Sequence, residues 1–218
     1  MVYINEITHE YKGGFRLQIE KLHLPPNSII GLVGENGSGK TTLMSVLSGY
    51  LKANGVFDIQ FSHEASNILF IPSDMELYDF LTVEELLRLV QKYSSEELDI
   101  GILLEKLDMA DKAACSIDEL SLGMKKKLTL LPLFIKPYDL VILDEPFNSI
   151  DLGYIFKLKE LLKEQKQHTT ILLSSHILET LVDLCDLFVL ISEGRVKKVF
   201  QNDGNLRQVE GEIFDRSN

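Results

Sequence analysis

The sequence predicts an α/β fold with a mostly parallel central sheet, an N-terminal antiparallel β subdomain and an inserted helical subdomain. Solid apolar runs at residues 29–33, 140–143, 170–173 and 187–191 are typical of parallel strands that are covered on both faces. Helix-like segments alternate with these runs, which is the order expected of such a sheet. Between about residues 75 and 135 there is no convincing strand, so this block is predicted to be helical.

The size and composition are those of one globular domain. The chain has 218 residues, of which 45% are hydrophobic and 25% charged. We expect the core and the β subdomain to cover about residues 1–74 and 136–218, and the helical subdomain about residues 75–135. The net charge of −11 argues against non-specific nucleic-acid binding, which needs a basic surface.

The location of the protein is predicted from two missing signals. No apolar run approaches the roughly 20 residues that a membrane-spanning helix needs. The amino terminus has no basic region followed by an apolar core, as a secretory signal would. A cytoplasmic protein is therefore expected, and attachment to a membrane through a partner stays open.

The amino-terminal part is predicted to be rich in strands. Residues 2–7 and 15–22 carry β-formers on either side of Gly13 and Gly14, which predicts a hairpin. Residues 56–61 and 67–71 predict two further strands.

The helical part and the tail follow from periodicity. Thr82 with Glu85 three residues later predicts a capping box, and a second helix is predicted near residues 100–107. After the last apolar run, residues 195–200 predict a short edge strand, followed by loose residues to the end of the chain.

The stretch GENGSGKTT fits the pattern G-x-x-x-x-G-K-[ST] and lies between an apolar strand and an amphipathic helix. Its glycines let backbone N–H groups approach a phosphate chain, and the helix start adds a positive dipole end. Lys40 supplies a charge for the outer phosphates, and the Thr41 hydroxyl can ligate Mg²⁺. The predicted nucleotide-binding residues are Gly34, Glu35, Asn36, Gly37, Ser38, Gly39, Lys40, Thr41 and Thr42.

Two later strands end in polar residues at the sheet edge where ligands of open α/β folds bind. Asp144 and Glu145 follow residues 140–143, and a merely acidic turn is the alternative. Asp144 is expected to hold Mg²⁺, and Glu145 to orient and deprotonate an attacking water. His176 follows the strand at residues 170–173 and is expected to reach the γ-phosphate; alone, it would be a surface or capping histidine.

Tyr11 and Ser121 are two further candidates. A half-buried core position and a purine-stacking platform are both open for Tyr11. Ser121 opens a helix whose first N–H groups form a second anion site. The lysines that follow on this helix are predicted to form a solvated face: Lys125, Lys126 and Lys127.

In this order, the motifs resemble those of the ATP-binding subunit of an ATP-binding-cassette (ABC) transporter, a P-loop ATPase, over nearly the whole chain. Residues 34–42 are similar to the Walker A loop, 120–124 to the signature motif and 140–145 to Walker B. Residues 148–151 are similar to the D-loop, and His176 to the switch histidine. Tyr11 stands where the family has an adenine-stacking aromatic residue.

The resemblance implies ATP and Mg²⁺ as ligands and head-to-tail dimerisation, as a homodimer or a heterodimer. Each ATP would lie between one Walker A loop and the other subunit's Ser121 and Gly123, with Asp151 of the D-loop nearby. ATP hydrolysis would drive a transmembrane permease that contacts the helical subdomain, with the subunit on the inner face of the cell membrane.

Three positions depart from the family pattern. Ser73 replaces a glutamine that touches Mg²⁺ and couples to the permease, and serine is too short for the same reach, although Asp74 could partly substitute. Leu122 replaces the first signature glycine, with its side chain expected to point away. Pro132 lies inside the signature helix, which it should kink or shorten.

Ser73 keeps a second function open, in which the chain is a weakly hydrolysing, nucleotide-sensing or regulatory subunit paired with a more active ATPase. A soluble ABC protein of translation or DNA repair is disfavoured by the single cassette, the acidic balance and the lack of long coiled-coil segments.

Overall fold

The computed structural model describes residues 2–54, 57–59, 67–94 and 96–214, with the backbone alone for 57–59. The strands are β1 (Val2–Ile4), β2 (Ile7–Glu10), β3 (Arg16–Ile19), β4 (Leu22–Leu24), β5 (Ile29–Val33), β6 (Phe57–Ile59), β7 (Ile68–Ile71), β8 (Leu140–Leu143), β9 (Thr170–Ser174), β10 (Leu187–Ser192) and β11 (Arg195–Gln201). The helices are α1 (Lys40–Leu47), α2 (Val83–Tyr93), α3 (Ile100–Lys106), α4 (Leu122–Thr129), α5 (Leu152–Gln165), α6 (Leu178–Val182) and α7 (Leu206–Phe214).

The predicted mostly parallel central sheet is confirmed. Its strand order is β11-β10-β5-β9-β8-β7. The pairs from β10 to β7 are parallel, and β11 pairs antiparallel with β10 at one edge. Every residue of β5, β8 and β9 is buried, as expected for strands covered on both faces. Because these three strands are neighbours and parallel, the loops that follow them meet at one edge of the sheet.

The antiparallel β subdomain has a different pairing from the predicted hairpin. The hairpin is formed by β2 and β3, while β1 pairs with β4 and β6. The reason is a break in the two-residue alternation: Val2, Ile4 and Ile7 are all buried, so the chain bends between Ile4 and Ile7 and changes partner. Strand β6 covers part of the predicted strand at residues 56–61, and the rest of that prediction lies outside the described residues.

The block from α2 to α4 has an apolar core of its own, which includes Val83, Leu87, Leu107 and Leu128. The capping box at the start of α2 is confirmed, because Thr82 Oγ1 accepts from the Glu85 amide at 3.2 Å and the Thr82 amide donates to Glu85 Oε2 at 2.8 Å. The limits of this subdomain, at about residues 75 and 135, remain a prediction.

Two details of the carboxyl-terminal half follow from local sequence. Helix α4 ends at Thr129, and Leu131–Phe134 forms a 3₁₀-helix, so Pro132 shortens the signature helix as predicted. The tail was predicted to be loose, but it forms α7, since Val209 finds a place in the main core. None of the described helices is long and apolar enough to cross a membrane.

Candidate active site

Three neighbouring strands deliver the predicted residues to one edge of the sheet. The loop at residues 34–39 follows β5, Asp144 and Glu145 follow β8, and His176 comes two residues after β9. They surround a cleft of about 490 Å³, whose lining residues are Tyr11, Phe15, Asn36, Gly37, Gly39, Lys40, Thr41, Thr42, Ser73, Asp144, Glu145 and His176.

The phosphate loop is held by close packing that only glycine permits. Gly34 has φ +150°, and an added Cβ would overlap the carbonyl oxygen of Ile191 on β10. Gly39 has φ +109°, and an added Cβ would lie 2.9 Å from the Phe15 ring. The loop backbone can therefore take a path that side chains would block.

Lys40 is folded onto this loop. Its Nζ donates to the carbonyl oxygens of Gly34 at 2.8 Å and Glu35 at 3.1 Å. Burial lowers the pKa of Lys40, and the carboxylates of Glu145 and Asp144 oppose this shift. The ammonium is thus placed between the loop and the two acidic residues.

Asp144 is the centre of a hydrogen-bonded group. Thr41 Oγ1 donates to its Oδ2 and Ser174 Oγ donates to its Oδ1, both at 2.6 Å. A hydroxyl beside a carboxylate is a set of hard oxygen donors that fits Mg²⁺, which usually keeps water and phosphate oxygens as its other ligands. Over the described ranges no group of three or more His, Cys, Asp or Glu side chains could hold a metal ion, so Mg²⁺ here would use Thr41 and Asp144 with nucleotide and water oxygens.

Glu145 is buried and held in an unusual conformation. Its φ is +52°, a left-handed backbone that costs a non-glycine residue about 1–2 kcal/mol. Its Oε2 accepts from the His176 amide at 3.1 Å. Its Oε1 is buried without a hydrogen bond, and lies 3.2 Å from His176 Nε2. Burial raises the pKa of Glu145, whereas the His176 N–H lowers it.

Ser174 is a site residue that the sequence analysis missed. It is fully buried, donates to Asp144 and accepts from the Glu145 amide at 3.1 Å. It therefore fixes the two acidic residues relative to each other. The available signal was a polar residue at the end of an otherwise apolar strand.

The remaining predicted residues lie at different distances from the cleft. Tyr11 lines the cleft and is 41% exposed, with its ring centroid 6.3 Å from that of Phe15, so a flat ligand can reach it. Glu35 and Ser38 line an adjoining cleft of about 450 Å³. The structure does not place Ser121, Gly123 and Asp151 among the residues that line the Lys40 cleft.

These three residues lie at the start of α4 and in the loop before α5. Ser121 caps α4 by accepting from the Met124 amide at 3.3 Å. Gly123 packs so closely that an added Cβ would overlap the carbonyl oxygen of Ser149. Asp151 caps α5 through the Tyr154 amide at 2.9 Å. Leu122 is 70% exposed, so its side chain does point away from the packed face.

The prediction that the α4 lysines form a solvated face is wrong for two of them. Lys126 and Lys127 are each only 8% exposed, because α4 packs between the segment at residues 73–79 and the loop before α5. Lys127 Nζ lies 2.9 Å from Asp151 Oδ2 and 4.5 Å from the centre of the Tyr154 ring. The Lys127 ammonium and the Tyr154 amide together lower the pKa of Asp151.

Comparison with known proteins assigns the family. The family model described as "ABC transporter" matches residues 17–148. The chain belongs to the ABC transporter family. Its relatives include the ABC transporter ATP-binding protein YybJ of Bacillus subtilis, with 30% identity over 208 residues that cover 90% of this chain and 95% of YybJ. YybJ, which has nearly the same length as this chain, is named as an ATP-binding protein of that family.

Other ABC relatives are larger. ATP-binding cassette sub-family A member 2 of Rattus norvegicus is 31% identical over 212 residues, which cover 90% of this chain and 9% of that protein. The chain spans 65% of the B. subtilis ABC transporter ATP-binding protein YdbJ, at 30% identity. It thus corresponds to a small part of the first relative and to nearly the whole of YybJ.

Solved structures agree with the ABC fold. An ATP-binding subunit of an ABC transporter superposes with a TM-score of 0.81 at 29% identity, covering 96% of this chain and 93% of the other. An ATP-binding cassette in its ADP conformation has a TM-score of 0.71 at 19% identity, covering 96% and 94%, which shows likeness of fold alone.

Proposed function

We propose that this ABC subunit hydrolyses ATP at the Lys40 cleft and that the hydrolysis powers a separate transmembrane permease. The observation that carries the proposal is the arrangement of Glu145. Its carboxylate is buried, has one oxygen free of hydrogen bonds, and lies in the same cleft as Lys40 and Thr41. That is the position of a base that accepts a proton from water next to a phosphate chain.

The chain's own residues supply binding, orientation and proton transfer. Lys40 and the N–H groups of the phosphate loop bind the outer phosphates. Thr41 and Asp144 would hold Mg²⁺, which would neutralise charge on the phosphate oxygens. Glu145 orients the attacking water and takes its proton, while His176 holds Oε2 of Glu145 and reaches the γ-phosphate. Tyr11 stacks on the adenine ring.

Ser121, Gly123 and Asp151 act in the site of a second subunit in this proposal. Their position outside the cleft of their own chain supports a head-to-tail dimer in which two chains complete each ATP site, as a homodimer or with another ABC subunit. The permease contacts the helical subdomain, which places the dimer on the inner face of the cell membrane.

The hydrolysis is tested with purified protein and the variant Glu145→Gln. We expect kcat to fall by about 10²–10⁴, the range for loss of a general base, while ATP binding and ATP-induced dimers persist in size-exclusion chromatography. Glu164→Gln, which changes an exposed carboxylate on α5, is the matched control and should leave kcat unchanged. Equal turnover of Glu145→Gln and Glu164→Gln would contradict the role of Glu145 as the general base.

The coupling to a permease is tested separately. We expect a gene for a multi-span membrane protein beside the gene for this chain. Co-expression should yield a complex whose ATPase activity differs from that of the isolated subunit. A subunit that stays alone in this experiment contradicts the coupling but not the hydrolysis.

Ser73 favours a second candidate function, a weakly hydrolysing sensor paired with a more active ATPase. Its side chain lines the cleft but is shorter than the glutamine of the family. Slow turnover by the isolated homodimer that rises when a second ABC subunit is added would support this function. Substantial steady-state ATPase activity of the homodimer alone would contradict it.

A further inference from the structure

Lys126 is a buried cation for which the mechanism above has no use. It lies on α4 and is 8% exposed, and its Nζ donates to the carbonyl oxygen of Ser73 at 3.3 Å. Its neighbours on α4 are paired with carboxylates, Lys125 with Asp79 and Lys127 with Asp151. Among the described residues, Lys126 forms no ion pair.

The charged groups that act on the Lys126 ammonium include the two carboxylates at the edge of the sheet after β8, Asp144 and Glu145. Burial lowers the pKa of Lys126, and the carboxylates that oppose this shift are those of Asp144, Glu145 and Asp74. Burying a charge without a bonded counterion is costly, and such groups are uncommon in proteins without a role. The negative field of the two acidic residues after β8 offsets part of that cost.

The acceptor of Lys126 belongs to the site itself. Ser73 lines the same cleft as Thr41 and Glu145. Its carbonyl oxygen accepts the hydrogen bond from Lys126 on α4. A movement of α4 therefore displaces the wall of the cleft beside the phosphates. Ser73 is also the residue that stands in place of the longer glutamine of the family pattern.

We propose that Lys126 is a positioning residue for ATP hydrolysis, which holds Ser73 against the cleft and thereby couples α4 to the catalytic carboxylates. This inference rests on the proposed ATPase function. It assigns Lys126 no contact with ATP and no part in proton transfer.

The first test is a comparison of Lys126→Met with Lys125→Met in steady-state ATPase assays. Loss of the hydrogen bond from this charged donor to Ser73 should lower kcat of Lys126→Met by about 10-fold, with KM for ATP unchanged. Lys125→Met removes the same charge from the same helix and should keep the kcat of the original protein. Lys126→Arg, which retains a cationic donor, should recover part of the loss.

The second test does not depend on turnover. Hydrogen exchange of the backbone amides at residues 73–75 should be faster in Lys126→Met than in Lys125→Met, because only the first variant releases Ser73, whereas Lys125 pairs with Asp79 at the far end of this segment. Thermal stability should not fall in Lys126→Met, since methionine fills the space without a buried charge.

These readouts separate the inference from the proposed function. Unchanged kcat and unchanged amide exchange in Lys126→Met would overturn the role of Lys126. A loss of kcat with an equal loss of stability, or an equal loss in Lys125→Met, would also overturn it, because packing or helix charge would then explain the effect. Absence of ATPase activity in the original protein would refute the proposed function, while the exchange experiment would still test the contact with Ser73.

Discussion

Gly123 offers a measurable contrast between two glycines that both lie inside helices. In α4, an added Cβ at Gly123 would overlap the backbone oxygen of Ser149. In α7, a Cβ at Gly211 would meet no heavy atom within 4 Å among the described residues. The same substitution to alanine should therefore change the free energy of unfolding in opposite directions.

The magnitudes follow from the two environments. A backbone oxygen cannot rotate away, so Gly123→Ala should cost about 2–3 kcal/mol of strain, the upper part of the range for overpacking. Gly123 is the second residue of α4, so helix propensity returns at most about 1 kcal/mol, which leaves a net loss of about 1–3 kcal/mol. Gly211→Ala should gain about 0.5–1 kcal/mol.

Urea denaturation of the two variants, followed by circular dichroism, measures both changes. Gly123→Ala should unfold at lower urea and Gly211→Ala at higher urea than the original protein, with unchanged m-values. Equal stability of the two variants would show that α4 can move away from Ser149, and would refute the close packing inferred here.

Three further predictions concern the cap of α2 and the cleft. Thr82→Ala should lower the free energy of unfolding by about 0.5–2 kcal/mol, measured in urea, since it removes the capping box; an unchanged midpoint contradicts this. Tyr11→Ala should weaken ATP binding in a fluorescence titration about 5- to 10-fold, at the lower end for loss of a base-stacking aromatic ring. The control Tyr50→Ala changes a 78% exposed ring that does not line the Lys40 cleft, and it should bind ATP as the original protein does. Because burial raises the pKa of Glu145 above its ordinary value of 4.5, the folded protein holds this proton more tightly than the unfolded chain, and ionisation opposes folding as pH rises through the raised pKa. Glu145→Gln should therefore stabilise the protein more near pH 7 than near pH 4, and an equal gain at both values would contradict the shift.

Several features of the fold were predictable because they depend on local sequence. The apolar runs that became β5, β8 and β9 are buried on both faces, and strands in that environment are apolar at most positions. The capping box at Thr82 needs only residues three apart. The shortening of α4 at Pro132 follows from a missing N–H group.

Other features depended on contacts between distant residues. The pairing of β1 with β4 and β6 was missed. A hairpin signal predicts that two segments pair, but it does not show that the first segment bends and that its two parts, β1 and β2, pair with different strands. Helix α7 was missed although Leu206, Val209 and Ile213 lie at helical spacing, and all three pack against the main core. Lys126 and Lys127 looked like surface residues, since nothing in the order of residues shows that α4 is enclosed on two sides.

The phosphate loop illustrates the division between the two levels. The sequence by itself determined that residues 34–42 lie between a strand and a helix, because glycine, lysine and threonine at that spacing are a local requirement for binding phosphate. It also determined the family and the order of the motifs. Only the tertiary structure decided that Ser174 bridges Asp144 and Glu145, that one oxygen of Glu145 is left free, and that Ser73 is held from α4 by Lys126. The contacts of Ser174 join residues 29 and 30 positions apart, and they exist because the parallel strands β8 and β9 end at the same edge of the sheet. The contact of Lys126 with Ser73 spans 53 positions, and it exists because α4 packs against the segment that follows β7.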